Sequence, residues 1–508
     1  MSEIREKEKN ATANVDEQTS EATLRSELAA QYTAFEESLT IYQTIRLYWR
    51  SILWVLYGLA LVFGYGIDGN VAANLLAMPR FRIDYGHELI TGGVVSYIIS
   101  ADWLSLFTGI SQLCAIIGAF GAGWLADRIG RRYTALISCI ISIGGVAAQY
   151  ASHGSLGVLA AGKAINGFPT GMWLVIGPLY ASETAPLRLR GVLIAMTNIV
   201  SLSGVFLFTG VVYSVGASTT AAAYQIPLAC QWIIPGLILV TGLTWPESPV
   251  WLVRMGNTEA AMRSIKRLYG SDKRKIDGEA LLAQIQESIA REQETSLDKA
   301  TYQECFSRSN RRITLVCMFV YACQFLSGVV LVQGYQAYMY ELLGYTAHEA
   351  LLLGLLNIAV QWVANICAWP LITTIGARNM LVWGQLLAAI ALFIIGGACT
   401  ATNQDAHQVA VGFMFIWGVI YQCSVGAASW TVVGELPVLR LRSKTQALSN
   451  MTLNFFQWLI GFVFPYMFNP DSGNLGGKTA LVFGGTTLVG FLGTYIFLPG
   501  MQRPYQKG

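Results

Sequence analysis

Charged residues are scarce in this chain of 508 residues: only 12% are Asp, Glu, Lys or Arg, whereas 54% are hydrophobic. A soluble globule of this length could not bury so much apolar surface, so lipid must cover part of it. Histidine is also scarce, with four residues, and the nine cysteines show no metal-site spacing. Because no nucleophile–base set or phosphate-binding loop appears either, we expect neither an enzyme nor a metal or other cofactor, and no nucleic-acid partner.

Twelve apolar runs approach the ~20 residues that a helix needs to cross a ~30 Å hydrocarbon core. We predict a helix for each, because a helix satisfies its own backbone hydrogen bonds where water is absent. The predicted spans are residues 52–76, 102–124, 134–151, 156–179, 192–213, 226–244, 313–338, 350–372, 380–399, 410–432, 446–467 and 479–498. They predict an all-α membrane protein embedded in a lipid bilayer.

The polar segments divide these spans into two groups of six. The predicted order is a cytoplasmic tail, a six-helix half, a cytoplasmic helical linker, a second six-helix half and a short tail, at residues 1–50, 51–244, 245–312, 313–499 and 500–508. Most Lys and Arg residues fall on one side of the membrane in this arrangement, which predicts that both termini are cytoplasmic. The first 50 residues lack the features of a cleavable signal.

A charged pattern occurs twice at the end of an apolar run: a glutamate is followed seven positions later by an arginine. The first pair is Glu183 and Arg190, and the second is Glu435 and Arg442. Each pair lies between two predicted spans, at matching places in the two halves. Such a repeat indicates an internally duplicated transporter with both hinges on the same membrane face.

Two further motifs give a family resemblance. The run from Gly123 to Arg132 resembles the loop between spans 2 and 3 of the major facilitator superfamily, and Pro246-Glu247-Ser248-Pro249 resembles the signature of its sugar porter family. Other motifs are similar to those of fungal alpha-glucoside (maltose-type) permeases: Gly66-Ile-Asp68, Gly167-Phe-Pro169, Gly334-Tyr335-Gln-Ala-Tyr338, Leu441-Arg442-Ser-Lys444-Thr445 and Asn474-Leu-Gly-Gly-Lys478-Thr. The resemblance covers about residues 50–500 and implies twelve helices in two pseudo-symmetric halves.

The resemblance also implies a charged lock on the cytoplasmic face. Its ion pairs are expected to form when this face closes and to break when the two halves separate. Arg378 is expected to be the main basic partner of Glu435, because the loop after span 8 departs from the family pattern. The expected gate residues are Asp127, Arg128, Arg131, Glu183, Arg190, Glu247, Arg378, Glu435 and Arg442.

Two charged residues lie well inside predicted spans, Asp68 in span 1 and Lys163 in span 4. Charges inside a membrane are costly and are usually functional. Both lie where proton-coupled sugar porters carry an acidic and a basic residue, so the resemblance implies that they couple transport to protons. The alternative is that Asp68 faces an outer vestibule while the Lys163 side chain extends toward the membrane surface.

Sugar recognition needs amides for the hydroxyl groups and aromatic rings for the apolar face. By register with the family, the candidate substrate-binding residues are Asn198, Gln324, Asn357, Trp430 and Asn454, together with Phe325, which replaces the second amide of the family's Gln-Gln pair. Val330 replaces a following asparagine. Each amide alone could instead form a structural bond between helices.

The most favoured function is proton-coupled uptake of a sugar or glycoside across the plasma membrane by a monomeric carrier. Loss of two amides at Phe325 and Val330 leaves open a carrier or exporter of a glycosylated or hydrophobic metabolite. A non-transporting sugar sensor is a third alternative, disfavoured by the short predicted C-terminal tail.

Overall fold

The computed structural model describes residues 26–91, 94–270, 276–296, 302–401, 403–437, 441–469 and 472–498. Within these ranges, ten helical stretches are long and apolar enough to cross a membrane. Two further predicted spans are also helical but fall outside that set. One is the helix Leu156–Thr184, and the other is interrupted between residues 311 and 342.

All twelve predicted runs are helical in the structure, and we number the spans in chain order. Spans 1 to 6 are Ile41–Gly69 with Val71–Leu76, Ala101–Ile129, Arg131–Tyr150, Leu156–Thr184, Leu187–Val215, and Ala222–Cys230 with Ile233–Thr241. Spans 7 to 12 are Arg311–Leu326 with Val330–Gly334 and Gln336–Leu342, Ala347–Ile375, Ala377–Ala398, Gln404–Cys423 with Val425–Glu435, Arg442–Phe468, and Thr479–Phe497. We call the side of the two hinges the inner side and the opposite side the outer side.

Span 7 is interrupted near its middle. Gly328 has φ +86°, a conformation that L side chains rarely adopt, and the five residues Val330–Gly334 form a π-helical turn. The outer segment Gln336–Leu342 is therefore separated from the inner segment Arg311–Leu326.

The loop between spans 1 and 2 departs from a purely helical expectation. A short helix, Pro79–Tyr85, is followed by two antiparallel strands, β1 (His87–Thr91) and β2 (Val94–Ile98), which pair His87 with Ile98. The sequence explains the hairpin, because β-branched residues flank a pair of glycines at 92–93. The hairpin lies outside the spans, which keep the all-α membrane fold.

Part of the predicted tail is helical. Residues 26–38 form a helix, and span 1 begins at Ile41, eleven residues before the predicted start at 52. Thr40 caps this helix: its hydroxyl accepts from the amide of Gln43, whose side chain accepts from the amide of Thr40. The helix bends at Tyr48.

The linker is helical, as predicted, and contains the helices Thr258–Tyr269 and Gly278–Ser296. The first packs against span 1. A third short helix, Tyr302–Cys305, lies against the other half, where the Cys305 carbonyl accepts from Thr314. The described parts of the linker are thus divided between the two halves.

Glycines allow spans 2 and 4 to pack closely. A Cβ at Gly118 would collide with the carbonyl oxygen of Phe168, and one at Gly171 would collide with that of Ala115. Close approach through small residues is the usual way in which helices associate in lipid. The two halves meet where span 2 packs on span 11 and span 5 packs on span 8.

Candidate transport site

Asp68 and Lys163 form a buried ion pair between spans 1 and 4. The Lys163 Nζ atom lies 2.8 Å from Asp68 Oδ1 and 3.4 Å from the Asp68 main-chain oxygen. Each side chain is only 6% exposed. Because Lys163 points to the carboxylate, the geometry favours the paired arrangement over an extended Lys163 side chain.

Four residues that the sequence analysis did not single out complete this cluster. Asn166, one turn after Lys163, donates to Asp68 Oδ1 at 2.9 Å. Its amide also contacts Gln231 of span 6, which reaches Gln149 of span 3, and Ser142 of span 3 donates to Asn166 Oδ1. The position of Asn166 on the same helix face as Lys163 was the available signal in the sequence.

A pocket opens beside the ion pair. Residues of spans 1, 2 and 4 line it, among them Tyr65, Asp68, Thr108, Gln112 and Lys163. The other half reaches the same place, because Gln457 of span 11 donates to the Tyr65 hydroxyl at 3.3 Å. A titratable carboxylate therefore lies next to a polar pocket at the contact between the two halves.

The candidate substrate residues in span 7 lie deep in the second half. Gln324 is 6% exposed, and its Nε2 atom is buried with no hydrogen-bond partner among the described residues. Phe325 and Val330 are partly buried against the hydrophobic core. A buried amide donor without a partner is costly, so a bound hydroxyl group would stabilise it.

The other candidates have differing surroundings. Trp430 is 47% exposed, with its ring centroid 5.2 Å from that of Tyr321. Asn198 and Asn454 are half-buried. Their amides have no hydrogen-bond partner in the described ranges.

Asn357, by contrast, is fully buried and bonded within the second half. It donates to Gln336 at 2.8 Å and accepts from Gln361 at 3.2 Å, while Gln333 donates to Gln361 at 2.5 Å. This network connects spans 7 and 8. Its contacts favour the alternative stated for each amide, a bond between helices, and no pattern in the sequence indicates the partners.

The inner end of the first half holds a compact charged cluster. Arg131 is buried, and its Nη2 atom lies 2.6 Å from Glu183 Oε1 and 3.4 Å from Asp127 Oδ1. Glu247 accepts from the backbone amides of Arg131 at 2.9 Å and Arg132 at 3.1 Å. Burial raises the pKa of Glu247, although these bonds act in the opposite direction.

Arg128 and Arg190 lie apart from that cluster. The Arg128 guanidinium lies 4.4 Å from the Trp124 ring centroid. The charge of Arg190 acts on Glu36 of the tail helix, a buried carboxylate that also accepts from Gln284 of the linker at 3.4 Å. The tail was not expected to take part in the hinge.

In the second half, Arg378 donates to the main-chain oxygens of Leu498 at 2.9 Å and Tyr495 at 3.5 Å. It thus satisfies carbonyl groups at the end of span 12. Glu435 and Arg442 lie in helices at the second hinge, but their side chains are outside the part of the structure that is described. Pairing of Glu435 with Arg378 or Arg442 stays a prediction.

Comparison with known proteins shows the family to which this chain is similar. Residues 18–503 match the family described as "Sugar (and other) transporter". The general alpha-glucoside permease of Saccharomyces cerevisiae is 28% identical over 97% of this chain and 77% of its own length. The MFS transporter fmqE of Aspergillus fumigatus is also 28% identical, over 98% and 95%.

Solved structures agree on the fold. The inward-open xylose transporter XylE from E. coli superposes with a TM-score of 0.70 at 20% identity, over 89% of this chain and 97% of that one. The nucleoside transporter NupG superposes more distantly, with a TM-score of 0.57. With the family match running almost from end to end, the chain belongs to the sugar transporter family of the major facilitator superfamily and is a membrane carrier rather than an enzyme.

Proposed function

We propose that this protein takes up a sugar or glycoside across the plasma membrane together with protons, by alternating access. The observation that carries the proposal is the buried contact of Asp68 with Lys163 and Asn166 beside a polar pocket. A buried carboxylate that is paired with one cation loses its charge when it binds one proton. Burying such a pair is costly, so its retention favours a functional role.

The coupling follows from the energetics of the pair. With Asp68 ionised, Lys163 and Asn166 stabilise its charge and hold the outer parts of spans 1 and 4 together. Protonation of Asp68 removes the attraction to Lys163 and lowers the cost of rearranging the two helices. The pocket is lined by the same carboxylate and by Tyr65, which accepts from Gln457 of the other half, so substrate and proton can influence one movement.

The substrate proposed is a glycoside rather than a small free sugar. Gln324 offers an unpaired amide donor, but Phe325 and Val330 make the surrounding surface apolar. An apolar aglycone or a second sugar ring would pack against that surface, while a free hexose would leave it without contacts. The alpha-glucoside permease among the relatives supports this class.

The alternative is a carrier or exporter of a glycosylated or hydrophobic metabolite. Phe325 and Val330 favour it, and the chain is as similar to an Aspergillus MFS transporter as to the yeast permease. The distribution of Lys and Arg supports cytoplasmic termini for either function. We propose that the carrier works as a monomer, because each half supplies part of the pocket's surroundings.

Uptake by purified protein in liposomes tests the proposal. The labelled panel comprises a hexose, a maltose-type disaccharide, an alkyl glucoside and an apolar non-sugar compound, each with and without an inwardly directed proton gradient. We expect the gradient to cause accumulation of the glycosides and a protonophore to abolish it. Transport of only the apolar compound would favour the alternative, and gradient-independent equilibration would remove proton coupling.

A further inference from the structure

An ion pair joins the two halves on the outer side. Arg82 lies on the short helix Pro79–Tyr85 of the first half, and its Nη2 atom is 2.8 Å from Oε2 of Glu341 on the outer segment of span 7. The two side chains are 20% and 11% exposed. The Arg82 guanidinium also lies 5.8 Å from the Tyr338 ring centroid, on the same segment as Glu341.

The other charged residues of the short helix are paired within the first half. Arg80 is paired with Asp84 at 2.8 Å within the short helix, and Asp84 accepts from the Tyr224 hydroxyl of span 6 at 3.0 Å. Phe81 stacks on Tyr85 with centroids 4.6 Å apart. The carboxylate of the short helix is thus engaged within its own half, and Arg82 faces the other half.

In the second half, Glu341 lies on the outer segment of span 7, beyond a break in the helix. The π-helical turn Val330–Gly334 and the left-handed Gly328 separate Gln336–Leu342 from the inner part of span 7. Among the described residues, Glu341 Oε1 has no hydrogen-bond partner, and Arg82 is the basic residue that pairs with the carboxylate. Loss of Arg82 would leave a buried carboxylate without a cation. The free energy of that carboxylate would be lower in water, so loss of Arg82 would favour opening.

Two more contacts close the same side. Tyr466 of span 11 donates to Asp102 of span 2 at 2.9 Å, and Asn469 donates to the carbonyl of Ile99 at 2.9 Å. These are the outer ends of the helices that carry the main contact between the halves. Outward opening has to separate them.

We propose that Arg82 and Glu341 form a charged outer gate, a pair that closes the substrate path in the present conformation and must break before substrate enters. The inference rests on the proposed alternating access. It assigns a transport role to two residues that lie outside the sugar site, the proton pair and the inner hinges. Opening replaces one ion pair with two hydrated charges, so the pair sets how often the outer side opens.

Labelling of a cysteine placed at Ala72, which lines the pocket beside Asp68, tests the gate. A membrane-impermeant thiol reagent is applied from the outer side of oriented vesicles, with the protein lacking Ala72→Cys as the blank for native cysteines. We expect Arg82→Gln and Glu341→Gln each to raise the labelling rate several-fold. The exchange Arg82→Glu with Glu341→Arg should restore the slow rate.

Arg80→Gln is the matched control, because it removes a neighbouring arginine whose ion pair stays within the short helix. It should leave labelling unchanged. Equal labelling of all three single variants, or failure of the charge exchange to restore the slow rate, overturns the gate. Labelling needs no substrate, so a failure of the uptake panel would reject the proposed sugar function without deciding the gate experiment.

Discussion

At the scale of single residues, the Asp68–Lys163 pair is the most consequential feature. Both side chains are almost fully withdrawn from water. Removing one partner of a buried pair costs about 3–5 kcal/mol, because it leaves the other charge uncompensated. Lys163 donates to both the carboxylate and the main chain of Asp68, so its charge and reach both matter.

Substitution of Lys163 separates these two properties. Lys163→Arg keeps the charge and should retain part of the gradient-driven uptake, whereas Lys163→Ala should reduce it more than tenfold. Initial uptake rates with an imposed proton gradient measure the difference, corrected for protein amount in the membrane. Equal activity of the two variants would show that the charge on Lys163 is unnecessary.

The surroundings of Gln324 predict which substrates the carrier prefers. Phe325→Gln with Val330→Asn should improve binding of glucose relative to an alkyl or aryl glycoside, because an amide site rejects ligands that leave it unpaired. Gln324→Ala should weaken both ligands by about 1–3 kcal/mol. Competition binding measures the preference.

Gln385→Ala provides the control for this prediction. Gln385 also has a buried Nε2 atom without a partner, but its side chain accepts from Thr494 between spans 9 and 12. Its loss should lower stability without altering the preference between ligands. An unchanged preference in the Phe325 and Val330 double variant would place those residues away from the substrate.

Residues differ in how well the sequence predicts them. Asp68 and Lys163 were identifiable because a charge in an apolar run is conspicuous. Asn166 shares a helix face with Lys163, but Gln231 was not identifiable, because an amide in an apolar run does not indicate which neighbouring helix it faces. The effect of the Arg190 charge on Glu36 joins residues far apart in the chain, and no local pattern indicates it.

At the scale of elements, hydropathy located every span but misplaced the start of span 1. A hydropathy window detects the lipid-facing length, whereas the helix continues for eleven residues beyond it. The continuation packs on the tail helix and the linker, where the Tyr32 and Tyr48 hydroxyls are 2.8 Å apart. Tertiary packing therefore extends the helix into the segment that the sequence predicts as a tail.

Docking of the tail helix should depend on pH through Glu36, which is 5% exposed. Burial raises the pKa of Glu36, although bonds from Gln284 and Tyr48 and the charge of Arg190 lower it. Docking therefore binds a proton: it is most favourable below the ordinary carboxyl pKa and weakens as pH rises through the raised value. Glu36→Gln should tighten docking near neutral pH and remove this dependence.

A cysteine at Ala29, which is 4% exposed on the tail helix, reports the docking. The labelling rate in Glu36→Gln is divided by the rate in the parent at each of two pH values. This ratio removes the effect of pH on ionisation of the thiol itself. The ratio should fall as pH rises. Glu37→Gln changes an exposed neighbour and should give a constant ratio, and a constant ratio for Glu36→Gln as well would refute the coupling.

Two glycines one turn apart test the packing of span 2. Gly118→Ala introduces a Cβ against the Phe168 carbonyl, whereas Gly121→Ala points into open space. We expect Gly118→Ala to destabilise the protein by about 1–3 kcal/mol and Gly121→Ala to be neutral or slightly stabilising. Thermal unfolding in detergent measures both, and equal melting temperatures would contradict the close approach.

At the scale of the whole molecule, contacts between the halves are concentrated at the centre and the outer side. Thr108 of span 2 donates to the Gly461 carbonyl of span 11 at 2.8 Å, and Arg82 pairs with Glu341 farther out. On the inner side, the described linker helices pack on different halves. The twofold repeat predicted the two halves, but sequence contains no information on which conformation they adopt.

Proton coupling through Asp68 is the central claim, and the variant Asp68→Asn tests it most directly. The substitution keeps the size of the side chain while removing the group that binds the proton. In proteoliposomes, the variant should fail to accumulate a glycoside under a proton gradient yet should exchange labelled for unlabelled glycoside as the parent does. Accumulation equal to that of the parent would contradict the account.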